Sequence, residues 1–135
     1  MSAASNYLEN KVLDHVLRNT AYSQPGALYL GLFKNTSGNA AANLEAGTLT
    51  DEVSGGSYVR KTVAFAAASS GTAATSATVT FDAATANWGT ITHVAIMDAS
   101  TSGNVLFWGA VTTSKTIETG DTFQVSSGNL TVSLA

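Results

Sequence analysis

Two histidines, His15 and His93, are the only imidazoles in the chain, and no cysteine accompanies them. A nucleophile would have to be a serine or threonine activated by one of these rings, with a third group orienting the base. His15 borders the apolar stripe of a predicted helix, and His93 shares a strand face with Ala95 and Met97. Both read as hydrogen-bonded packing residues rather than bases. Without thiols there is no thiolate chemistry, disulfide framework or Cys-type zinc site. Asp98 and Asp121 fall at turns, where an Asp side chain bonds the local backbone, and neither a calcium-loop run of aspartates nor a His-x-x-x-His helix occurs. Gly103, Gly109 and Gly120 follow no phosphate-loop spacing, and Gly55-Gly56 precedes a strand rather than a helix. No catalytic, cofactor-binding or metal-ligating residue is expected, and the protein reads as a non-enzyme.

What remains is surface. Lys and Arg together number 6 against 9 Asp and Glu, a net charge of −3, too few cations to displace the counterions of a nucleic acid. Charged residues make up 11% of the chain, against about 25% in ordinary soluble domains. A chain living alone keeps more charge for solubility, so the deficit suggests that assembly covers much of the surface. The alternative is a monomer whose strands display Thr and Ser. The N-terminus lacks the pattern of a secretory signal, and no apolar run approaches the roughly 20 residues of a membrane span, so a soluble product is expected, and the missing cysteine suits folding and assembly in a reducing cytoplasm. At 135 residues the chain suits one domain, 1–135.

The elements that would shape that surface begin with a helix over 6–19. Asn6 and Glu9 have the spacing of a capping box, and Leu8, Val12, Leu13, Val16 and Leu17 form an apolar stripe. A helix this short needs tertiary cover, so the stripe is expected to pack on the rest of the domain. Pro25-Gly26 bars its continuation. Ala27–Phe33 reads as a central strand apolar on both faces. Residues 35–56 read as a long loop pinned by Leu44 and Leu49, either a contact arm or an inert excursion; removing 40–50 is expected to weaken association without unfolding the domain.

Tyr58–Phe65 alternates with period two, Ala66–Ser76 is a small-residue linker, and Ala77–Phe81 resumes as a strand. Ile91–Met97 and Val105–Val111 form one predicted hairpin, with Gly103 in its loop; Thr122–Val125 and Leu130–Leu134 form a second. Strands at this spacing predict a mostly β chain: an antiparallel β-sandwich or jelly-roll-like domain over 27–134 with one N-terminal α-helix. Trp88 is placed as a core lid, and Phe107 and Trp108, being adjacent on a strand, must point to opposite faces. Leu44, Leu49, Tyr58 and Trp108 are the candidate interface residues.

The segments Asn6–His15, Leu28–Phe33, Glu52–Arg60, Asn87–Ile96, Gly103–Lys115 and Gly120–Phe123 together resemble a family of small tailed-phage virion proteins, commonly labelled tail-fibre-like. The resemblance covers most of the chain. It implies a structural role in the virion, with no catalytic set to carry over. The expected partners are the chain itself, as a homotrimer, and other virion proteins, the major capsid protein first; no nucleic acid, membrane or cofactor is expected. The compact form and the lack of heptads or shaft repeats favour a capsid decoration or cement protein. A tail-fibre or tail-tip adaptor is the first alternative, and a small carbohydrate-binding module with an exposed Trp or Tyr is the second.

Overall fold

The computed structural model describes residues 3–134. In chain order the elements are β1 (Ala3–Ala4), α1 (Asn6–Leu17), β2 (Tyr29–Phe33), α2 (Ala40–Ala46), β3 (Lys61–Thr62), β4 (Thr72–Ala74), β5 (Val79–Thr80), β6 (Gly89–Met97), β7 (Val105–Ile117), β8 (Gln124–Val125) and β9 (Thr131–Ser133). Five strands build one antiparallel sheet in the order β1-β7-β6-β2-β3, while β4 pairs with β9 and β5 with β8. The chain is mostly β, as expected.

The pleat explains how the sheet divides its side chains. Leu30, Leu32, Val94, Ile96 and Phe107 project from one face, where Val79, Phe81, Phe123 and Val125 from the small ladders and their flanks cover them. This makes a sandwich-like second layer. On it Phe81 meets Trp88 and Phe123 edge-on, with ring centroids 6.4 and 5.8 Å apart. From the opposite face project Tyr29, Phe33, Ala95, Met97, Val105 and Trp108, and Leu44 of α2 closes over them. Both faces of β2 are therefore covered, and Phe107 and Trp108 do part to opposite sides.

The β6–β7 hairpin forms as the sequence predicts. Asp98 accepts from the Asn104 backbone N–H at 2.7 Å, and Gly103 takes a φ of +74°. The ladder shifts register between Ile91 and His93 and again between Ile96 and Met97. Trp88 is buried with its indole N–H on the Gly56 carbonyl at 2.9 Å. A Cβ on Gly56 would lie 2.8 Å from that nitrogen, so only glycine allows the approach.

Five local expectations need correction. The cap of α1 is Ser5 rather than Asn6: its hydroxyl accepts from the Leu8 N–H and donates to the Val105 carbonyl, and its own N–H bonds the Leu106 carbonyl. The helix stops at Leu17 rather than residue 19, because Arg18 leaves helical geometry and Asn19 turns left-handed at φ +55°. The 35–56 segment is not a bare loop, since α2 lies inside it and ends on Gly47 at φ +81°. Tyr58–Phe65 is a strand only at Lys61–Thr62, because its alternation breaks where Val59 is exposed and Arg60 buried. The second C-terminal hairpin does not form. Its two halves pair instead with β5 and β4, because the turn at 126–129, with Gly128 N–H on the Thr75 carbonyl, sends them to different ladders.

Candidate assembly surfaces

The side chains best equipped for chemistry are committed to holding loops. Arg60 is buried and grips Glu52 through two bonds of 2.7 Å, while its Nη1 donates to the carbonyls of Ala99 and Ser102 at 2.8 Å. Tyr58 donates to the same carboxylate at 2.8 Å and accepts from the Leu32 N–H at 2.9 Å. Burial, reinforced by the Glu52 charge, pushes the Tyr58 hydroxyl far above its ordinary value, so it stays protonated. This cluster ties β2, the 52–60 segment and the β6–β7 loop together.

Asp51, also buried, accepts from the Thr36 hydroxyl, the Ser37 N–H and hydroxyl, and the Asn43 amide. These bonds, led by that of the Ser37 hydroxyl, hold its carboxyl below its ordinary value. The two histidines lie on separate elements. His15 is exposed and accepts from the Tyr22 N–H at 3.1 Å, and His93 sits in β6 with its ring 6.4 Å from that of Trp108. Burial lowers the His93 pKa, which favours the neutral ring. Among the described residues no three His, Asp or Glu side chains are grouped to hold a metal ion.

Of the residues singled out in the sequence, three converge and one does not. Leu44 is 1% exposed and packs in the core under α2, with Leu49 and Trp108 half-buried beside it. The Trp108 indole donates to Glu45 at 2.7 Å, anchoring α2 to β7. Tyr58 belongs to the other face of the sheet. Excising 40–50 would therefore remove core, contrary to the expectation that the domain would stay folded. The described Tyr residues and Trp108 are half-buried, and Trp88 is buried.

Two apolar surfaces were not anticipated. The first is α1 itself: Leu8 is 7% exposed, but Val12, Leu13, Val16 and Leu17 are 37, 54, 69 and 74% exposed. Cover thins steadily along the helix, so beyond Leu8 the stripe does not find the cover it was expected to have. More than two whole side chains' worth of aliphatic surface stays in water, a cost of about 3–7 kcal/mol relative to burial. The periodicity was visible in the sequence; its direction was not.

The second surface is a cleft between the five-stranded sheet and the β4–β9 ladder. Two hollows of about 240 and 260 Å³ share Ile96, Phe107 and Val132 as walls. The larger takes in Asn129, Thr131 and Thr112, whereas the smaller is lined almost wholly by apolar groups, among them Leu28, Phe65 and Leu134. The layers fail to close here because Ala68, Gly71, Thr72 and Ala73 are too short to reach the facing sheet. The small-residue run Ala66–Ser76 was the available signal.

Asp51, Glu52, Tyr58 and Arg60 are thus committed to internal bonds, while apolar surface stays open on α1 and in the cleft. Residues 3–133 match the family model described as Podophage GP4 fiber I protein gp80. The chain belongs to the gp80 family. The match takes in α1, the cleft and the sheet between them, and it upholds the resemblance to tailed-phage virion proteins. No curated protein matches the chain. As a phage fibre protein, a gp80-family member is a structural component of the virion. No helix among its described residues is long and apolar enough to cross a membrane.

Proposed function

We propose that this chain is a non-enzymatic tail-fibre component of a tailed phage, a single compact domain that acts by packing against neighbours in the particle. The family match over residues 3–133 carries this reading, since the family is described as a fibre protein. It suits a tail position better than the capsid-decoration role that compactness and the lack of a shaft repeat suggested. The open apolar surfaces of α1 and the cleft support a contact role, because exposed aliphatic area of this kind marks interaction sites. The sparse charge supports it too, since 11% leaves little to keep a free monomer in solution.

Immunogold labelling of intact particles, with peptide mass spectrometry of the same preparation, tests the proposal. Label at the tail is expected. Label on the head shell would restore the decoration reading, and absence from washed particles would refute both.

A further inference from the structure

We infer that the N-terminal arm, residues 3–22, is a strap that opens from the body of the domain as one unit, hinged on 23–27, while the sheet and α2 stay folded. The inference goes beyond the fibre assignment and does not rest on it.

The bonds that hold the arm are all at one end. Ala3 and Ala4 pair with Trp108 and Phe107, and the buried Ser5 gives its hydroxyl to the Val105 carbonyl and its N–H to the Leu106 carbonyl at 2.9 Å. Leu8 is buried and Tyr7 half-buried, which adds an apolar hold in the first turn of α1. Past Leu8 every residue of the helix is exposed except the half-buried Asp14. Among the described residues no hydrogen bond or ion pair joins 6–22 to the body. An element with so little buried apolar contact opens at a far smaller cost than the whole domain unfolds.

Two features make the opening a single event rather than fraying from the far end. The Ser5 hydroxyl accepts the Leu8 N–H that starts the helix and donates to β7, so cap and anchor are lost together. A helix of twelve residues is marginal on its own, so α1 melts once that first turn is released. The far end is bonded back to the helix: the Arg18 and Thr20 N–H groups meet the Asp14 carbonyl at 3.0 and 3.1 Å, and the Tyr22 N–H meets His15 at 3.1 Å. Residues 23–27 then make no hydrogen bond, and a Cβ on Gly26 would meet nothing within 4 Å. Structure resumes at Leu28, whose carbonyl takes the Val63 N–H at 3.0 Å. Opening therefore bares the Val105–Trp108 edge of β7 without disturbing the pairing of β6 with β2.

Hydrogen exchange followed residue by residue in the full wild-type chain tests this. The Ser5 N–H and the α1 amides from Glu9 to Leu17 should share one opening constant within about threefold, and it should exceed that of the slowest β6 amides by roughly tenfold or more. A Ser5 N–H as slow as those of β6, or protection that falls off gradually from Ser5 toward Leu17, would overturn the inference in favour of simple fraying. The variant Leu44→Ala adds an independent reading, because its cavity lies in the body. It should speed the slowest β6 amides by about thirtyfold or more and leave the α1 amides within about threefold of wild type. Equal acceleration of both would show that arm and body unfold together, which also overturns it.

Discussion

The two helices of this chain make opposite use of their apolar residues. α1 runs for twelve residues and buries only Leu8, while the seven-residue α2 buries Ala40 and Leu44 and is stitched to β7 by the bond from Trp108 to Glu45. The longer and more clearly amphipathic helix is the one left open. Periodicity shows that a helix has an apolar face, but what covers that face depends on where the flanking chain leads. α1 is tethered through Ser5 to β7, whereas α2 is held on the sheet by the packing of Leu44, with Asp51 bonding Asn43 of the helix and the Thr36–Ser37 turn before it.

Substitutions should separate the helices sharply. Leu44→Ala opens a cavity between α2 and the sheet and should cost about 2–5 kcal/mol in urea unfolding. A loss under 1 kcal/mol would mean that α2 is not a core element. Asp51→Asn comes next, at about 1–3 kcal/mol, because the hydroxyl and amide donors around it lose a charged acceptor.

That variant also changes the response to acid. The Asp51 carboxyl is held below its ordinary value of 3.8, so its contribution is complete above that value and is lost as pH falls through the lower folded pKa. Stability measured against pH should fall below about pH 4 in the wild type and less steeply in D51N; parallel curves would remove Asp51 from the account.

Ser5→Ala removes the α1 cap and its bond to Val105, for an expected loss of about 0.5–2 kcal/mol. Hydrogen exchange should localise that loss to α1 and leave α2 protected. The smallest effect belongs to Leu17→Ser, which in dilute solution should stay within about 0.5 kcal/mol of wild type. A drop of 2 kcal/mol there would show the stripe to be packed within the single chain and would erase the contrast between the helices.

Much of the fold was legible because its signals are local. Ala27–Phe33 carries the apolar pattern of a strand covered on both faces, Ile91–Met97 and Val105–Val111 read as the arms of a hairpin, and Asp98 with Gly103 marks the turn between these two longest strands. Legibility failed where a partner lay far along the chain. Gln124–Val125 and Thr131–Ser133 look like two arms of a hairpin, yet their partners are Thr80–Val79 and Ala74–Thr72. Leu44, chosen as a contact residue from a segment that looked unstructured, was drawn into the core by a helix too short to show periodicity. The α1 stripe was seen in full and assigned the wrong neighbour.

Sequence alone determined which side chains share a face, that no thiol chemistry is open to this chain, and that it resembles phage virion proteins. These follow from composition, short-range spacing and motif likeness. Tertiary structure alone decided that the α1 stripe stays uncovered beyond Leu8 and that a cleft stands open between sheet and ladder. Both depend on whether one layer reaches the next, a matter of long-range distances and side-chain lengths that no local pattern encodes.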